Sequence, residues 1–118
     1  MVKKEQEKVQ FRPNLYLSEG ITDKKLDKIK KRLNGKWNRW KESPLLSGVF
    51  LISIAKNASD QLDIFDARQL VQPFYKKHPV YVIGIAESYE EALQLVERLV
   101  QECLKERGDC SLKEYLLC

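Results

Sequence analysis

One segment near the C-terminus constrains the fold more than any other part of the chain. Residues 81–86 form an apolar run, and apolar residues at helical spacing follow it over residues 89–107. Ser88 and Glu91 match a capping box, in which the serine side chain accepts a hydrogen bond from a backbone N–H of the first helical turn. The segment therefore predicts a strand, a cap and a long helix, which Gly108 ends.

The front of the chain predicts a weaker strand followed by a basic helix. Residues 14–17 form a short strand after a break at Pro13. Thr22 is a suitable N-cap for a helix over 23–33, whose apolar side is thin and whose other sides are rich in lysine. Residues 1–10 are polar and without periodicity, so we expect a mobile N-terminal arm there.

The middle of the chain predicts a hairpin and a short helix. Residues 49–55 are apolar at both side-chain parities, which is typical of a central strand covered on both faces. A four-residue turn leads from this strand to 61–65, and a hairpin follows. Capping patterns then predict a short helix from Asp66, with Leu70, Val71 and Phe74 inward and an end or kink at Pro73, and a final helical turn over 112–117.

The resulting order, (β)αββαβα, excludes an all-β sandwich and a helical bundle. We predict a single α+β domain over 11–118, with helices packed on a small mixed or antiparallel sheet of three to four strands. A ferredoxin-like arrangement is one option, and it requires the first and third strands in the centre. The other is a three-stranded sheet with 49–55 in the centre, which agrees better with the greater apolarity of the second and fourth strands.

Length and cysteine use indicate the compartment. No apolar run approaches the roughly 18 residues that a membrane span needs, and the basic start is not followed by the apolar region of a secretory signal. The three cysteines are odd in number and confined to the last sixteen residues, which is a poor disulfide framework. We therefore expect a cytoplasmic protein without a membrane span.

The residue types that carry chemistry do not form a recognisable catalytic or metal site. His78 is the only histidine, and the cysteine spacing matches no common zinc pattern. Asp60, Asp63 and Asp66 flank a predicted strand on which Asp63 takes the opposite face from the other two. We expect no catalytic residue, metal or cofactor, unless a deep polar pocket brings Asp63, His78 or Cys110 together.

The distribution of charge points to one candidate binding surface. Residues 1–43 hold 13 Lys/Arg and 6 Asp/Glu, whereas 44–118 hold 8 and 11. Clustered cations neutralise phosphates and exposed aromatic rings stack on unpaired bases, so the basic helix and the loop after it could bind nucleic acid. The same side chains could contact an acidic protein. Alternatively, the lysines only solvate the helix while the tryptophans fill the core. The candidate residues are Lys24, Lys25, Lys28, Lys31, Lys36, Trp37, Arg39, Trp40 and Lys41.

Two strings carry a resemblance to a known family. Residues 81–93, YVIGIAESYEEAL, and residues 15–22, LYLSEGIT, resemble small proteins carried on conjugative elements of gut Firmicutes. The resemblance covers most of residues 11–117. It implies a bacterial cytoplasmic accessory protein of a mobile element, and the family supplies no activity or catalytic residues to carry over.

These observations lead to two functional hypotheses. The first is a non-enzymatic accessory or protein-interaction domain that binds a protein partner or associates with itself. The alternative is a nucleic-acid-binding protein that uses the basic helix and the adjacent tryptophan loop.

Overall fold

The chain folds around one sheet that carries helices on both faces. The computed structural model describes residues 9–33, 47–57, 59–71 and 78–117. The α+β class and the small mixed sheet predicted from the sequence are confirmed. In chain order, the elements are β1 (Val9–Leu17), α1 (Asp23–Leu33), β2 (Phe50–Ile54), β3 (Leu62–Asp66), a 3₁₀ helix (Ala67–Val71), β4 (Val80–Ala86), α2 (Tyr89–Arg107) and α3 (Leu112–Leu117).

The strand order is β1-β4-β2-β3. β1 runs parallel to β4, whereas β2 is antiparallel to both β4 and β3. The predicted hairpin of β2 and β3 is confirmed. The ferredoxin-like option is wrong, because β1 lies at an edge and the second and fourth strands are central. The physical reason is that these two strands are apolar at both parities and need cover on both faces.

Two apolar clusters lie on the two faces of the sheet. α1 and the 3₁₀ helix cover one face through Ile29, Leu33 and Leu70. α2 and α3 cover the other face through Leu95, Leu99 and Leu116. Burying each large aliphatic side chain contributes roughly 1.5–3 kcal/mol, so both helical layers are needed to hold the central strands.

A bulge in β4 changes which side chains face which layer. Ile52 pairs with Gly84 but the next residue, Ser53, pairs with Val82, so Ile83 is an extra residue in β4. Consequently Val82 and Ile85 face the α1 layer although their numbers differ in parity.

β1 also contains a register irregularity, which explains its unexpected length. Phe11 pairs with Val82 and Tyr16 with Gly84, so the stretch around Pro13 bulges away from the edge of the sheet. Pro13, which the sequence predicts as the break before the strand, instead lies within the strand. β1 begins at Val9, so the last two residues of the segment expected as a mobile arm belong to the strand. Residues 1–8 lie outside the described residues.

The helix ends follow the capping patterns of the sequence. Ser88 is extended, its Oγ accepts a hydrogen bond of 3.0 Å from the Glu91 N–H, and Gly108 closes α2 with a φ of 81°. Thr22 Oγ1 likewise accepts from the Lys25 N–H at 3.2 Å. No helix within the described ranges is both long and apolar enough to cross a membrane.

The segment after β3 differs from the expected short helix in type. Asp66 Oδ1 accepts from the Arg68 N–H at 2.8 Å, one residue earlier than a capping box at Gln69 requires. The tighter turn is a 3₁₀ helix, and it still buries Leu70. Pro73 and Phe74 lie outside the described residues.

Gly84 is predicted to be required for the contact between β1, β4 and β2. A Cβ at this position would lie 3.1 Å from the Tyr16 carbonyl oxygen and 3.0 Å from Ile52 Cδ1. Because a backbone atom cannot move aside as a side chain can, Gly84→Ala should lower the free energy of unfolding by roughly 1–3 kcal/mol. Chemical denaturation followed by circular dichroism measures this change.

Gly108→Ala is the matched glycine control. Its Cβ would meet nothing within 4 Å, so only the positive φ opposes it. We expect a cost of about 1–2 kcal/mol without any disturbance of the sheet. An unchanged unfolding free energy for Gly84→Ala, or amide shifts at Tyr16 no larger than those in Gly108→Ala, would contradict the assigned role.

Candidate functional site

The basic helix α1 presents a smaller cationic surface than the sequence predicts. Lys24, Lys28 and Lys31 are exposed. The Lys31 ammonium lies 3.1 Å from the Asp27 carboxylate, but its side chain remains 78 % exposed, so this pair contributes little to stability. The structure thus places three of the nine candidate residues together on an open surface.

Lys25 points inward and connects two parts of the scaffold. Its ammonium forms an ion pair with Glu87, and both side chains are about one-third exposed. The Glu87 N–H donates to Ser18 Oγ at 3.2 Å, which joins the loop after β4 to the end of β1. Lys25 is therefore engaged with the loop that leads into α2, and it does not add to the exposed basic surface.

The other five candidate residues belong to the segment of the sequence between α1 and β2. Lys36, Trp37, Arg39, Trp40 and Lys41 lie outside the described residues. The proposed loop and the burial of its tryptophans stay predictions.

Most of the exposed large apolar side chains of the described chain lie in a stripe on α2. Tyr89, Leu93 and Leu104 are 52 %, 46 % and 45 % exposed. Half-buried Val96 and Val100 lie between them. At 3.6 residues per turn these five side chains fall within about 80° of the helix circumference. We call these five residues the apolar stripe.

The opposite flank of α2 is fixed against β1. The Tyr16 hydroxyl donates a hydrogen bond of 2.8 Å to Glu102 Oε2, and the Arg98 guanidinium lies 5.5 Å from the centre of the Tyr16 ring. Burial and the hydrogen bond to Glu102 raise the pKa of Tyr16 above its ordinary value, so the phenol remains a donor in alkaline solution as well as at neutral pH. α2 is thereby held in one orientation, with the apolar stripe on its free flank.

The surroundings of the apolar stripe extend it and give it a charged border. The Tyr89 ring packs edge-on against Phe50 of β2, with 5.9 Å between ring centres. Exposed Glu90 and Glu97 are seven residues apart and follow the solvent side of the stripe. The helical spacing of the apolar residues predicts this helix but does not show which of them stay exposed. The stripe is exposed because the apolar band is wider than the sheet covers.

A cavity of about 280 Å³ brings together two of the three polar residues that the sequence singles out, Asp63 and His78, but not Cys110. Its lining includes Ser53 of β2, Asp63 and Phe65 of β3, and His78 and Val80 at the start of β4. Ser53 and Asp63 are register partners, so their side chains share one face. The predicted hairpin is enough to infer that Ser53 and Asp63 are neighbours. That His78 lies near them depends on the strand order, which the sequence does not predict.

The remaining polar candidates do not join the cavity. Asp66 forms an ion pair with Arg68 at 3.1 Å, and Cys110 is exposed, with its carbonyl oxygen accepting from the Gln61 side chain. The three aspartates do not converge, as their spacing on the strand indicates.

The cavity does not show the contacts of a nucleophilic relay. A Ser-His-Asp relay requires a hydrogen bond from the serine hydroxyl to histidine, and Ser53 has no hydrogen-bond partner among the described residues. Across residues 9–33, 47–57, 59–71 and 78–117, no group of three or more His, Cys, Asp or Glu could hold a metal ion. We assign no catalytic residue.

The geometry offers an apolar stripe, an exposed lysine surface and a cavity. The charge and polarity of each of these features determine which ligand or partner it could bind. Comparisons of the chain with protein-family models, with curated proteins and with solved structures find no match.

Proposed function

We propose that the protein is a non-enzymatic protein-interaction domain that binds its partner through the apolar stripe of α2. In the described residues, three of the four exposed large apolar side chains lie on this single side of one helix. Apolar residues scattered singly on a surface need no explanation, whereas a contiguous apolar surface bordered by polar residues marks a binding site. In keeping with the resemblance of the sequence, we place the protein among bacterial cytoplasmic accessory proteins of mobile elements.

The stripe is suited to binding because α2 is ordered before the partner arrives. Caps close both ends of the helix, and the contacts of Tyr16 fix the flank opposite the stripe. A preorganised surface loses less conformational entropy on association than one that must fold. Its 19 residues extend over about 28 Å, enough for several turns of a partner helix to pack along it.

Charge favours a basic amphipathic helix over a second copy of the chain. In an antiparallel pair of α2 helices with Leu93 opposite Val100, Glu97 of one copy would lie beside Glu97 of the other. Like charges placed together across an interface are unfavourable. A partner with leucines along one side and lysines or arginines beside them would instead meet the acidic border of Glu90 and Glu97.

Two model peptides test the proposed surface. Both are amphipathic helices with the same leucine positions, and the polar positions are lysine in one and glutamate in the other. We expect the lysine peptide to bind more tightly at physiological salt, and Leu93→Gln to weaken its binding at least about tenfold, as for a central apolar contact. Fluorescence anisotropy of labelled peptides measures both effects.

Gln94→Ala is the control, since this exposed residue precedes Arg98 by one turn on the other flank of α2. It should leave binding unchanged. Equal binding of the two peptides, or equal affinity of the Leu93→Gln variant and the wild type, would contradict the proposal. A dimer in light scattering that Leu93→Gln dissociates would assign the stripe to self-association instead.

The second candidate function is nucleic-acid binding through α1, and one observation favours it. Lys24 and Lys28 are exposed one turn apart, and neither forms an ion pair with any part of the chain that the structure describes. Two free ammonium groups spaced along a helix can contact successive phosphates of a nucleic-acid backbone.

If α1 binds nucleic acid, removing these two charges should change the salt dependence of binding. The double variant Lys24→Gln/Lys28→Gln should reduce the slope of log K against log salt by roughly 1.4–1.8, because each phosphate contact contributes roughly 0.7–0.9. Anisotropy with single- and double-stranded DNA gives the slope, and Lys105→Gln on α2 is the control. Absence of binding to either DNA at low salt would exclude this function.

A further inference from the structure

The two buried polar residues of the described core differ in whether the side-chain hydroxyl forms a hydrogen bond. Ser18 and Ser53 are 7 % and 2 % exposed. The Ser18 hydroxyl accepts a hydrogen bond from the Glu87 N–H, whereas the Ser53 hydroxyl has no partner among the described residues. A buried hydroxyl without a hydrogen bond is unfavourable, and its presence in a native core calls for an explanation. Ser53 lines the 280 Å³ cavity, so a ligand there could supply the missing bond.

The cavity has an apolar floor and two opposite charges at its lining. Phe65 and Val80 provide apolar surface, and both are buried. Asp63 and Lys56 are exposed on the lining, and neither forms an ion pair within the described ranges. The Asn57 side chain already accepts from the Asp60 N–H, which orders the loop that carries Lys56. An unpaired anion and an unpaired cation thus border one small apolar space.

We propose that this cavity binds a free α-amino acid with an apolar side chain. The ammonium group of the ligand would pair with Asp63 and its carboxylate with Lys56. The apolar side chain would contact Phe65 and Val80, and the Ser53 hydroxyl would donate to the carboxylate. This site is separate from the apolar stripe and does not depend on the proposed interaction.

The volume of the cavity matches a free amino acid of this size. The cavity corresponds to roughly nine water volumes, which is close to the number of heavy atoms in leucine. It lies just below the roughly 300–1,000 Å³ of ordinary small-molecule sites, so it favours a small ligand over a nucleotide or a folded peptide. A purely apolar ligand would leave the Ser53 hydroxyl without a partner and gain nothing from either charge.

Three probes separate the contributions of the two charges. L-leucine carries both, isoamylamine lacks the carboxylate, and 4-methylpentanoate lacks the ammonium group. We expect L-leucine to shift the amide resonances of Ser53, Phe65 and Val80 in nuclear magnetic resonance titrations up to about 10 mM, and the two truncated probes to bind at least about tenfold more weakly. No shift at these amides, or equal affinity for all three probes, would overturn the proposal.

Two variants and a control locate the site. Asp63→Asn should weaken L-leucine binding at least about tenfold, since it removes the charge and keeps the shape. Ser53→Ala should weaken it while the melting temperature stays the same or rises, because the unpaired hydroxyl is removed from the core. The control is Asp60→Asn. Asp60 lies in the turn between β2 and β3 but outside the cavity lining, so this variant should bind L-leucine like the wild type. L-leucine affinity unchanged by both Ser53→Ala and Asp63→Asn would overturn the assignment.

Discussion

The burial of β4 on both faces is the constraint on which the rest of the structure depends. Every residue from Val82 to Ala86 is buried, and these residues contribute to both apolar clusters. A central strand of this kind needs a helical layer on each side, which α1 and α2 provide. The outer surfaces of those two helices then become the surfaces open to partners.

The bulge at Ile83 connects this constraint to the cavity. It shifts the pairing of β4 with β2, so that Val82 and not Ile83 lies opposite Ser53 on the face that α1 covers. On the other side of β2, Ser53 pairs with Asp63 of β3. Both residues line the cavity. Bulges are frequent beside functional sites because they redirect side chains. Here the register change determines which β4 side chain lies beside the Ser53 hydroxyl of the cavity lining.

Local sequence patterns predict the helices, their caps and the hairpin of this chain. The strand order depends on pairings between distant segments, which local patterns do not predict. The caps at Thr22, Ser88 and Gly108 and the hairpin depend on neighbours in sequence, so the pattern of residues contains them. The parallel pairing of β1 with β4 joins segments about 70 residues apart, and no local pattern encodes it. Pro13 looked like a break because a proline interrupts a regular ladder, whereas a bulge at an edge strand removes that conflict.

The candidate sites also combine features that neighbouring residues determine with features that distant strand pairing determines. The exposure of Lys24 and Lys28 follows from the thin apolar side of α1. The inward position of Lys25 does not, because its partner Glu87 is brought near only when β4 pairs beside β1. Likewise Ser53 and Asp63 are a local pair, while His78 joins them through the placement of β4 next to β2.

The uneven charge of the chain is only partly neutralised within the fold. The ion pair of Lys25 with Glu87 joins the basic front to the acidic remainder, but Lys24 and Lys28 stay exposed on α1. Glu90 and Glu97 are exposed on α2, which covers the opposite face of the sheet. The described chain therefore presents exposed lysines on one side of the molecule and exposed glutamates on the other. Because these two surfaces share no described residue, a basic partner on α2 would leave the lysines of α1 accessible.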